Sequence, residues 1–168
     1  MLFRSLGLYH RLKPVNFTRT RDYALVHEIL TKPDVYELMG DDYLGPKEAF
    51  KVNVHEEIRY LVAYHEAGIV GLFSLFPRNV LCWELHACMM PEATTQEKWE
   101  AARELVPWLK ERTCCKRLVA EVPRSNAPAI YYGTHGIGMR YVGTHPEAFL
   151  KHGKLHDLII LGMSVNGT

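Results

Sequence analysis

The chain predicts one α/β domain: a mixed, mostly antiparallel sheet of six or seven strands with helices on both faces. Three observations carry this expectation. First, 168 residues, 48% of them hydrophobic and 23% charged, suit a single buried core. Second, Ile58 to Met90 holds three apolar, strand-like runs separated by short turns. Third, Val119 to Val165 reads as strand, short helix, strand, turn and strand.

In chain order, Val15 to Thr18 predicts a first strand. Thr20 then caps a helix running to about Thr31, with Tyr23, Val26, His27 and Leu30 on one side. Pro33 restarts a short helix. Gly45-Pro46 opens another piece through about Lys51, in an acidic and aromatic region that suits a lid or substrate wall. The meander IRYLVAY, IVGLFSLF and VLCWELHACMM follows. Period-two alternation in its last strand puts Cys82, Glu84, His86 and Cys88 on one face, and Leu81, Trp83, Leu85, Ala87 and Met89 on the other.

Pro91 ends that strand, and Trp99, Ala102, Val106 and Leu109 keep helical spacing from Thr95 to about Arg112. Pro107 inside this helix predicts a kink near Arg103 to Pro107, or two pieces. Next come a strand from Arg117 to Val122, a helix from about Asn126 to His135, and strands from Met139 to Gly143 and Leu155 to Val165.

Twenty basic and nineteen acidic residues give a formal charge of +1, which disfavours nucleic acid and anionic membrane as partners. No apolar run approaches a membrane span, and Met1 to Pro14 lacks a signal-peptide pattern; the expectation is a mature cytoplasmic protein. Cys82, Cys88, Cys114 and Cys115 form no CxxC and read as reduced, mostly buried thiols. His152 and His156 are separated by a turn at Gly153, so no metal site is expected.

Between the third meander strand and the long helix lies PEATTQEKWEAA, without a glycine. Thr94 and Glu97 fit a capping box, in which each side chain bonds the other's backbone amide.

The strings WELHACMMPE, LVAEVPRSNAPAIYYGTHGIGMRYVG and EAFLKHGKLHDLIILGM, in this element order, resemble the GNAT superfamily of N-acetyltransferases. Its ribosomal-protein N-terminal acetyltransferase branch is the nearest in pattern, with Gly153, Asp157 and Gly162 in the closing hairpin. Asn53 to Val165 carries the likeness, as a cofactor-type core behind an N-terminal strand and helices in residues 1–52 of the same domain. The resemblance implies that the strands around Leu81 to Met90 and Arg117 to Val122 are parallel neighbours that splay apart to admit acetyl-CoA.

It also implies site residues. Cys88, Met89 and Met90 would offer strand backbone to the pantetheine arm, and Gln96 and Lys98 would sit at the pyrophosphate. Asn126 would bond the cofactor, or else simply cap its helix. Tyr132, with Tyr131 beside it, would protonate the departing thiolate, or pack as an aromatic; one extra residue before Gly138 leaves that register open. Glu84 would deprotonate the amine, its pKa raised by burial, with His86 as an alternative base; either is equally a satisfied polar group of the core.

The family's pyrophosphate loop normally carries glycines whose amides cradle phosphate. Here Glu97 would occupy that anion site, with Glu92 and Glu100 adding like charge and Lys98 and Arg124 compensating in part. The implied activity is acetyl transfer to a small-molecule or protein amine, with the acceptor near Tyr36 to Tyr43. A degenerate, phage-encoded GNAT-like protein, working in host cytoplasm or virion as a binding or assembly module with a protein partner, is the competing expectation.

Overall fold

Residues 14–66 and 68–167 are described by a computed structural model. The reading of the first residues as mature protein falls, but for Pro14, outside them. The strands are β1 (Asn16–Thr20), β2 (Arg59–His65), β3 (Gly68–Pro77), β4 (Cys82–Met89), β5 (Arg117–Pro123), β6 (Arg140–Lys151) and β7 (Lys154–Ser164). They form one seven-stranded sheet in the order β1-β2-β3-β4-β5-β7-β6. The helices are α1 (Tyr23–Leu30), α2 (Pro33–Met39), α3 (Thr95–Arg112) and α4 (Ala127–Tyr131).

Alternation along the central strands sorts side chains into two cores. On one face Leu61, Phe73, Leu75, Trp83 and Leu85 pack with Leu105 and Leu109 of α3. On the other, Tyr60, Val62 and Leu72 pack with Val26, Ile29 and Leu30 of α1. Full burial of each such leucine or isoleucine is worth about 1.5–3 kcal/mol. The Arg59 guanidinium lies 4.2 Å from the Trp83 ring centroid, a cation–π contact.

Every neighbouring strand pair is antiparallel except β4 and β5. That parallel pair holds only at Cys82↔Arg117, Trp83↔Leu118 and Glu84↔Val119. Beyond it β4 stays with β3 as far as Met89, and β5 stays with β7 as far as Pro123. The two strands therefore part after Glu84 and leave a gap in mid-sheet, as expected.

Local chemistry accounts for the differences from expectation. Asp22 caps α1, its carboxylate accepting from the Leu25 amide at 3.0 Å, while Thr20 accepts from the Asp22 amide just upstream. The helical piece after Pro46 is a single 3₁₀ turn, Lys47–Ala49. α3 is one helix, not two; Pro107 lies on its exposed side, where water can meet the Arg103 carbonyl left without its usual donor. β6 runs to Lys151 rather than Gly143, because a register shift between His145 and Phe149 absorbs Pro146 and Glu147. Glu147 takes φ 51° there.

After α4 the chain widens into a π turn, Tyr132–Ile137, closed by the Gly138 amide bonding the Gly133 carbonyl. Gly138 has φ 91°, which suits glycine. The extra residue suspected before Gly138 is thus taken up as a π insertion.

Candidate functional site

The Met90 amide donates to Val70 across the β3–β4 ladder, whose register has no shift. Alternation then turns the Ala87 and Met89 amides toward the gap. Of the expected strand edge, Met89 offers its amide and Met90 does not. Cys88 is inward-packed, and burial pushes its thiol up to about 11, so it is an inert thiol. Among the other cysteines Cys115 is buried but Cys114 is exposed, against expectation.

The far wall of the gap comes from α4 and the π turn. Tyr132 is largely buried against Trp99, and its hydroxyl donates to the Lys98 carbonyl at 2.9 Å with the Met89 sulfur 3.3 Å away. Burial raises its pKa, which makes it a weaker acid. Tyr131 faces outward, stacked on His135 at 4.1 Å. Asn126 caps α4, its carbonyl accepting from the Ala129 amide at 3.3 Å.

The start of α3 is closed by its own side chains. Glu97 accepts from the Thr94 amide at 2.8 Å and hydroxyl at 3.0 Å, and the Glu97 amide donates back to Thr94 Oγ1 at 3.2 Å. These bonds hold the Glu97 carboxyl below its usual range. His65 Nδ1 approaches the other carboxylate oxygen at 3.5 Å. Neither nitrogen of this buried ring has a hydrogen-bond partner among the described residues. Sequence reasoning missed His65, which reaches α3 only through the β2–β3 hairpin. Gln96 bonds Glu100, Glu92 pairs with Lys32, and Arg124 pairs with Asp157.

On the α1 and α2 side, β4 and β5 carry a second polar group. Arg78, in the turn before β4, donates to Glu84 at 3.0 and 2.9 Å and also to Glu121. His86 Nε2 lies 2.9 Å from Glu84, and His145 Nε2 is 3.9 Å from Glu121. The expectation that burial raises the Glu84 pKa is overturned. The His86 hydrogen bond and Arg78 outweigh desolvation and lower it to about 2. Glu84 is thus a fixed anion that orients an imidazole. Arg78, Glu121 and His145 were missed because they come from other elements, although Glu121 is a polar residue within an apolar strand.

A cavity of about 370 Å³ opens beside this group, between α2, the end of β5 and the β6–β7 hairpin. Its walls include Glu37, Leu38, Asn126, Phe149, Lys154 and His156. Asp42 clamps the hairpin by accepting from the His152 and Gly153 amides, each at 2.8 Å. Part of the Tyr36 to Tyr43 segment is therefore a cavity wall, though Tyr43 itself points to solvent. Among the described residues no helix is long and apolar enough to cross a membrane.

No protein-family model matches the chain, and no curated protein matches it in sequence. Solved structures do match in shape. Spermidine N-acetyltransferase from Vibrio cholerae, in complex with CoA and spermine, superposes with a TM-score of 0.74 at 13% identity, over 91% of this chain and 96% of that one. A putative phosphinothricin N-acetyltransferase gives 0.68 at 18% identity, over 90% and 98%. A probable acetyltransferase gives 0.68 at 12% identity, over 93% and 96%. The chain has the GNAT-like fold of these proteins.

Proposed function

We propose that this protein is an N-acetyltransferase that moves an acetyl group from acetyl-CoA to a primary amine. The parting of β4 from β5 after Glu84 carries this reading, since it presents unpaired strand amides beside a polar group and a cavity. Fit differs along the donor. The Ala87 and Met89 amides and Asn126 suit a thioester and its pantetheine amides. The start of α3 suits a pyrophosphate only once the Glu97 carboxylate swings away.

Each residue then has a task. The Ala87 and Met89 N–H groups polarise the acyl carbonyl. Glu84, kept ionised by Arg78, orients the His86 ring, which takes the amine proton directly or through water. As the C–N bond forms and the C–S bond breaks, sulfur leaves as thiolate. Tyr132, beside Met89, returns a proton to it after releasing the Lys98 carbonyl.

The Glu97 closure favours a second reading, in which the fold serves as a binding or assembly module without acetyl transfer. The resemblance to phage-encoded proteins belongs to that reading. Calorimetric titration with acetyl-CoA separates the two. A dissociation constant below about 100 μM, worth ~5.5 kcal/mol, is expected of the enzyme, and no heat at millimolar donor would sink it. Glu97→Gln keeps a hydrogen-bond acceptor for Thr94 and removes the charge. It should tighten donor binding, and unchanged affinity would mean that Glu97 is not the obstacle.

A further inference from the structure

We infer that the acceptor amine carries an anionic group, a carboxylate or phosphonate, that seats on Lys154 and His156 in the cavity beside the β6–β7 hairpin. This rests on the acetyl-transfer reading and names its substrate class. The cavity is formed by the end of β5, α2 and the hairpin, and β5 leads from the polar group to its wall. Along β5, Glu121 and cavity-lining Pro123 stand two residues apart on one face, ~7 Å.

Charge is divided along this path. At the gap the two carboxylates Glu84 and Glu121 outnumber the one guanidinium, Arg78, that bridges them, while the cavity's sole lining carboxylate is Glu37. Glu37 is already engaged: its carboxylate meets His152 Nε2 at 3.0 Å and Lys151 Nζ at 3.4 Å. Lys151 also donates to the Glu37 and Gly40 carbonyls, at 2.6 and 2.9 Å. Those bonds make Lys151, His152 and Glu37 parts of the wall, and Asp42 is spent on the hairpin backbone.

Lys154 and His156 are different. Both line the cavity, and neither has an ion pair or side-chain hydrogen bond with another described residue. They lie two residues apart on one face of β7, beside their register partners Lys151 and Phe149. A cation without a counter-ion in a concave wall is a seat for an anion. Four residues of β7, ~13 Å, separate His156 from Ile160, which pairs with Glu121. An acceptor with its amine toward His86 and its acid toward Lys154 matches both ends. A polyamine matches only the first.

The test compares 10-aminodecanoate, whose chain spans ~13 Å, with decane-1,10-diamine on the intact protein with acetyl-CoA. The two differ mainly at the far end of one alkyl chain. CoA release should give 10-aminodecanoate about a tenfold advantage in kcat/KM, and Lys154→Glu, at an exposed position, should reverse the order. Equal or better use of the diamine, or a ratio unmoved by Lys154→Glu, overturns the inference and leaves acetyl transfer standing.

A second readout is independent of turnover: without acetyl-CoA, 10-aminodecanoate should shift the His156 imidazole resonances, and Lys154→Glu should abolish the shift. If that holds while neither amine is acetylated, the anion seat survives and acetyl transfer fails. No shift and no acetylation overturn both.

Discussion

The two ends of the β4–β5 gap are built from similar polar side chains, yet they differ in how many they leave unpaired. At the α3 end Thr94, Glu97, Gln96 and the Tyr132 hydroxyl are all bonded to groups of the same chain. At the hairpin end Asp42, Glu37, Lys151 and His152 are engaged in the same way in holding the wall, but Lys154 and His156 are left without side-chain partners among the described residues. A helix start without glycine has no phosphate nest, so its amides take the nearest carboxylate, four atoms of side chain away. At the hairpin the wall has more charged groups than its clamps use, so charge remains available to a ligand.

Beyond its capping box the α3 end packs against the π turn, and breaking that packing should have the largest effect. A Cβ at Gly136 would stand 2.9 Å from the Trp99 ring and 3.0 Å from Ala102. Gly136→Val should therefore cost about 1–3 kcal/mol in chemical denaturation. A loss below a few tenths would mean that the turn does not rest on Trp99. Thr94→Ala removes the cap and should cost about 1 kcal/mol while freeing Glu97. An unchanged unfolding midpoint would show that the box contributes nothing in solution.

The smallest effect is expected on the side of Glu84. Its folded pKa, about 2, lies below the ordinary 4.5, so its contribution to stability is present above 4.5 and is lost as pH falls toward 2. Thermal midpoints measured from pH 5 to pH 2 should fall less steeply in Glu84→Gln than in the parent. Parallel curves would mean that Arg78 and His86 do not hold the carboxylate in solution.

Much of this architecture was legible in short windows of residues. The three-strand meander, the face shared by Glu84 and His86, the Thr94–Glu97 box and the surplus residue before Gly138 all follow from period, caps and spacing. The errors were also local in kind. Thr20 and Asp22 are both good capping residues, two positions apart, and only the chain's entry into α1 selects Asp22. The strand expected to end at Gly143 continues as β6, because a bulge removes Pro146 from the ladder.

The candidate site was less legible, for a different reason. Residue type marked Glu84, His86, Tyr132 and Asn126 as polar groups with chemical potential, but their state depends on partners distant in sequence. Arg78 reaches Glu121 across 43 positions, and Tyr132 finds its acceptor 34 positions earlier. Burial alone would raise a carboxyl pKa; a guanidinium and an imidazole delivered by the fold reverse the sign. Local preference, a matter of backbone and neighbours, could be read from the order of residues. Electrostatic state and ligand access, set by distances of a few ångströms between separate strands, were decided when the sheet closed around its gap.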